Sequence, residues 1–104
     1  MKLNFSLIAF VHSEANHALM NEHKTFQKVQ FNPEIYQEFV KEIEPLLVAG
    51  RNPLQDSVSF KFNTAVREID IEQEPYLTLS QVLVYTDMGV ILLDLDLPLL
   101  RNED

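Results

Sequence analysis

Two groups of side chains have the types that chemistry at a site requires. His12, His17 and His23 lie within the segment His12–Lys24 together with Glu14 and Glu22, and imidazole with carboxylate is a donor set that zinc accepts. The histidines are spaced by five and six residues, whereas two ligands on one helix face stand four apart. The segment therefore reads as solvated histidines, and no metal centre is expected. Asp94 and Asp96 stand two apart in an extended run, which sets both carboxylates on one side of a strand about 6 to 7 Å apart. That separation suits a bound cation or a pair flanking a scissile bond. Thr78 and Ser80 lie opposite them in the expected hairpin, so the four also read as its polar open end, and that is the reading adopted.

The remaining inventory for catalysis is thin. No glycine-rich phosphate loop, no G-x-S-x-G and no nucleophile beside a base occurs. The only glycines are Gly50 and Gly89, and there is no cysteine. Thiol chemistry, a thiolate metal site and a disulfide framework are thereby excluded, in keeping with a reducing, cytoplasmic setting. Neither an enzyme nor a cofactor is expected.

Charge is the stronger signal. The chain carries a formal net charge of −8, which disfavours contact with nucleic acid phosphates or anionic lipid. Two acidic rows account for much of it. Glu68, Asp70, Glu72 and Glu74 alternate along an expected strand, and Glu34, Glu38 and Glu42 recur every four residues along an expected helix. Like charges on one strand face repel, so the row either guards an exposed edge or serves as a platform for a basic partner. The function expected is a small acidic module that neutralises or holds a basic protein such as a toxin or nuclease, as immunity proteins, antitoxins and nuclease inhibitors do. Glu68, Asp70, Glu72, Glu74, Glu34, Glu38 and Glu42 would form its contact surface. One alternative is a structural subunit or homodimer joined through the apolar hairpin residues Val82, Val84, Val90 and Leu92. The other is a metal protein or enzyme using Asp94 and Asp96 or the His12–His23 segment.

The elements that must position these residues follow from periodicity. With 104 residues and 46% apolar content the chain reads as a single globular domain over 1–104 that buries about 65% of its unfolded surface. The run Tyr76–Leu97 is a hairpin about Asp87-Met88-Gly89, with Gly89 supplying positive φ. If Thr86 faces Val90, then Leu79, Gln81, Leu83 and Tyr85 share a buried face with Ile91, Leu93, Leu95 and Leu97, and Pro98 ends the second strand. Asn32 caps a helix over about 33–49 that opens with Pro33, buries Tyr36, Phe39, Val40, Ile43 and Leu47, and ends or kinks at Pro45 before Gly50.

Lys2–Val11 reads as the first strand rather than a signal peptide, followed by a weakly helical segment that Ser13 caps. Thr25–Phe31 is a short strand with Val29 and Phe31 inward. Val58, Phe60 and Phe62 alternate inward along another, and the slip of phase that follows, before Ile69 and Ile71, reads as a turn or sharp bend around Asn63-Thr64 rather than a bulge in one long strand. The fold expected is α+β, a mainly antiparallel sheet of five to six strands with one principal helix on one face. No run approaches the length of a membrane span.

Overall fold

The chain is α+β, and its described residues form a five-stranded mixed sheet and two helices. Its structure, a computed structural model, describes residues 2–3, 5–43, 59–63, 68–95 and 100–101. Expectations for Leu47, Gly50, Val58, Thr64, Asp96, Leu97 and Pro98 fall outside these residues, as do those for the side chain of Phe60. The elements run β1 (Lys2–Leu3), α1 (Leu7–Glu22), β2 (Phe26–Phe31), α2 (Pro33–Ile43), β3 (Ser59–Asn63), β4 (Glu68–Gln73), β5 (Gln81–Thr86), β6 (Gly89–Asp94) and β7 (Leu100–Arg101). The main sheet has the order β3-β4-β2-β5-β6, and β1 pairs separately with β7.

The strand β2 is central because it is apolar enough to be covered on one face and flanked on both edges. Val29 and Phe31 are fully buried, and each strand neighbour presents a matching residue: Ile71 and Val84 beside Val29, and Val82 beside Phe31. A bulge between Phe26 and Lys28 turns Phe26 onto the same inner face, opposite Thr86.

The helix α2 begins as its sequence dictates. The Asn32 side-chain oxygen accepts the Glu34 N–H at 2.8 Å, and its main-chain oxygen accepts the Tyr36 N–H at 2.8 Å. Pro33 occupies the first helical position. Ile35, Tyr36, Phe39, Val40 and Ile43 are buried, and the Phe39 ring meets Phe31 and Phe62 edge to face with centroids 5.6 and 5.4 Å apart. This places α2 on the inner face over β2, β3 and β4.

Three expectations are corrected. The single strand over Lys2–Val11 is instead the two-residue β1 followed by the long helix α1, so a second long helix stands beside the expected one among the described residues. Leu7 and Val11 are four apart and both buried, a helical spacing. Ser6, not Ser13, is the N-cap, its hydroxyl accepting the Ala9 N–H at 3.1 Å. His23 closes the helix in the left-handed conformation at φ 57.

The sheet is also not uniformly antiparallel, since β2 and β4 run parallel. The connection between them carries α2 and β3, and only a connection of that length can return a chain in the same direction.

The third correction concerns the hairpin, which has Thr86 opposite Gly89, one residue away from the expected register. Each strand residue meets its partner on a common face, so this slip exchanges inside for outside along β5. Val82 and Val84 are fully buried beside Leu93 and Ile91, while Leu83 and Tyr85 share the outer face with Leu92 and Val90. Gly89 does hold positive φ, at 127. Thr86 secures the turn, its hydroxyl donating to the Gly89 carbonyl at 2.8 Å and accepting the Met88 N–H at 3.0 Å.

Farther back, β3 and β4 are two antiparallel strands, Asn63 opposite Glu68, rather than one bulged strand.

Candidate partner-binding surface

Because residues on paired strands alternate in step, the registers assign an outer face that carries no helix among the described residues. From one edge to the other it bears Lys61 and Asn63 on β3, Glu68, Asp70 and Glu72 on β4, Lys28 and Gln30 on β2, Leu83 and Tyr85 on β5, and Val90 and Leu92 on β6. The face is polar and acidic on one side and apolar on the other. The acidic strand β4 is an interior strand flanked by β3 and β2, so its charges do not guard a sheet edge.

The strand row is partly neutralised by lysines that its sequence neighbours do not reveal. Lys61 Nζ lies 2.8 Å from Asp70 Oδ1, and this hydrogen bond, together with the charge of Asp70, raises the Lys61 pKa. Lys28 Nζ lies 3.6 Å from Glu72 Oε2, and Gln30 Nε2 donates to Glu72 Oε1 at 3.0 Å. Lys28 also stands over the Tyr85 ring, 5.1 Å from its centroid, which joins the acidic side to the apolar side. The Glu68 carboxylate is exposed and takes no hydrogen bond or ion pair among the described residues, although its charge also helps raise the Lys61 pKa. Glu74 lies just past the end of β4, where its carboxylate accepts the Tyr76 N–H at 3.2 Å.

The helix row divides. Glu34 sits exposed in the first turn of α2, and Glu38 pairs with Lys41 at 3.3 Å. Glu42 is engaged elsewhere. Its carboxylate accepts the Leu7 N–H at 2.6 Å, the Ile8 N–H at 3.2 Å and the Ser6 hydroxyl at 2.8 Å, so it caps α1 from a different helix.

Across β2 and β5 from the acids lies an exposed apolar patch. Val90 is 58% and Leu92 55% exposed, and Met88 in the turn is 70% exposed. Sequence periodicity sets Val90 and Leu92 on one face with Val82 and Val84, which are buried, instead of with Leu83 and Tyr85. The cue that distinguishes the two is a two-residue turn over Asp87-Met88, with Gly89 as the first residue of the strand.

The other candidate constellations do not assemble. All three histidines belong to α1 or its C-cap: His12 packs edge-on against Phe62 at 5.3 Å, His17 lies beside Asn21 at 2.9 Å, and His23 terminates the helix. Among the described residues no group of three or more His, Asp or Glu side chains is arranged to hold a metal. Asp94 ends β6 opposite Gln81. A mainly apolar cleft of about 360 Å³ separates the start of α1 from the end of β6, lined by Phe5, Ala9, Phe10 and Leu95 with Ser6, Ser13, Glu14 and Asp94; the Ser6 hydroxyl there is engaged in the α1 cap, donating to Glu42 at 2.8 Å. Among the described residues no helix is long and apolar enough to cross a membrane. Comparison with protein-family models, curated proteins and solved structures finds no match.

Proposed function

We propose that the protein is a small non-catalytic module that holds a basic protein partner against the outer face of its sheet, in the manner of an immunity protein, antitoxin or nuclease inhibitor. One observation carries this reading: a sheet face that no helix covers among the described residues, on which the carboxylates of Glu68, Asp70 and Glu72 lie on one side of Lys28 and Gln30 and the apolar patch of Leu83, Tyr85, Val90 and Leu92 on the other. The two halves have separate uses. Desolvating an apolar patch supplies affinity, while a flanking field of one sign steers and orients the approach of an oppositely charged protein. Glu74, just past β4, adds to the negative field, whereas Glu34 and Glu38 lie on α2 across the sheet, Glu38 paired with Lys41, and Glu42 is committed to capping α1.

The test has two stages. The purified chain captures partners from its native host at low and at moderate salt, and each captured protein is compared for association kinetics with the Glu68→Gln/Asp70→Asn/Glu72→Gln variant. A basic partner with association slowed tenfold or more by the variant supports the reading, since surface charges act mainly on the on-rate. An unchanged on-rate leaves these carboxylates as a solvated face balanced by Lys28 and Lys61. The exposed apolar patch also favours a second reading, a homodimer closing over the same face. A dimer mass for the purified chain in native mass spectrometry would support it.

A further inference from the structure

Resting on the reading above, we propose how the partner engages: an extended segment with apolar residues at alternate positions and a basic residue at the end that meets Asp94 adds as a sixth strand to the free edge of β6. The strand β6 terminates the main sheet, so one side of its backbone has no strand partner among the described residues, and unpaired edge N–H and C=O groups are a template for another chain. Edges that proteins keep closed carry a proline, a bulge or a charge in mid-strand. In contrast, β6 reads Gly89-Val90-Ile91-Leu92-Leu93 with neither proline nor charge before Asp94, and its register with β5 is unbroken. The opposite edge, β3, carries Lys61 at its centre.

Both sides of β6 are ready to extend. Val90 and Leu92 stand on the outer face, 58% and 55% exposed, and Ile91 and Leu93 on the inner face are only partly buried against the core. An added strand would complete the cover of Ile91 and Leu93 with one set of its side chains and lengthen the outer patch with the other. Charge selects the occupant. Asp94 ends the strand in an exposed position, and its carboxylate takes no hydrogen bond or ion pair among the described residues. Asp87 is turned the other way: its main-chain N–H donates to the Thr25 carbonyl at 3.2 Å and its carboxylate accepts the Thr25 N–H at 2.8 Å, just before β2 on the far side of β5. A basic residue at the end of an added strand would meet Asp94. A second copy of this chain is disfavoured, because each chain carries a net charge of −8 and the two repel.

The test is titration of the isotope-labelled full chain with the synthetic peptide KVTVTVK, read by amide chemical shifts and hydrogen exchange. Binding should shift the amides of Gly89–Asp94 in a saturable way and slow their exchange at least tenfold. The peptide EVTVTVE should bind at least tenfold more weakly, and the peptide with alternate N-methylated amides, in both registers, should not bind. Leu92→Lys and Asp94→Asn alter exposed positions, so the fold is retained, and both should weaken KVTVTVK. Equal binding of the methylated peptides, shifts centred on β3 or β4, no saturable binding, or a chain already paired through β6 as a dimer would each overturn the inference. A Leu92→Lys variant that loses the peptide yet captures its native partner unchanged would overturn strand addition while leaving the docking reading in place.

Discussion

Glu42, in the last turn of α2, holds the Leu7 amide of α1 at 2.6 Å. The two residues are 35 apart in sequence, and the bond joins the end of one helix to the beginning of another. A helix start leaves its first amides without partners, and here a carboxylate supplies an acceptor for two of them, Leu7 and Ile8, while Ser6 satisfies Ala9. Negative charge at that position also complements the helix dipole.

Removing the carboxylate should therefore loosen α1. Glu42→Ala is expected to destabilise the protein by about 1 to 2 kcal/mol, the range of a lost N-terminal cap. Hydrogen exchange should show the loss concentrated in the first turn of α1. A melt and an exchange pattern identical to the wild type would remove Glu42 from this role.

Gly89 lies at φ 127 with nothing within 4 Å of the position a Cβ would take. Space is thus no obstacle to a larger residue, and only the backbone conformation opposes it. Gly89→Val should cost about 1 to 3 kcal/mol through that strain. Gly89→Ala separates strain from bulk, and two equally destabilised variants would confirm that φ alone sets the cost. A Gly89→Val melt equal to that of the wild type would mean that this turn does not need glycine.

Tyr36 is fully buried beneath α2. Burial raises its hydroxyl from the ordinary 10.0 to about 12, and the negative charge of Glu72 acts in the same direction. Between those values the unfolded chain releases a proton that the folded chain retains. The stability is fully present below pH 10 and is lost as pH climbs toward 12, by about 2 to 3 kcal/mol for a shift of this size. Denaturation of wild type and Tyr36→Phe at about pH 9 and about pH 11.5 checks this. The wild type should lose more stability than the variant over the interval; parallel losses would sink the assignment.

Whatever local chemistry determines is legible in the sequence. The start of α2 at Asn32-Pro33, its buried stripe and the positive φ of Gly89 all depend on near neighbours in the chain. The start of α1 did not show because part of its cap comes from Glu42, and Leu3, Phe5, Leu7 and Ala9 happen to alternate as a strand would. The outer surface was half legible for a similar reason. Alternation identifies two faces of β5 but not which is inside, and one residue of turn length decides between them. That Asp70 and Glu72 have lysine partners depends on β3 and β2 flanking β4, which periodicity does not report.

The place of β2 at the centre of the sheet bears on how the chain finds its fold. Both hairpins, β3–β4 and β5–β6, join strands that follow one another in sequence, and hairpins form in about 1 to 10 microseconds. In contrast, β2 has no such partner: Val29 must reach Ile71 on one side and Val84 on the other. Closing those long loops costs entropy before any contact repays it. The two hairpins are therefore ready-made halves, and the kinetic barrier falls on the insertion of β2 between them. Until that step the apolar edges of β4 and β5 stand open, which makes the interval before β2 docks the time at which the chain is most exposed to aggregation.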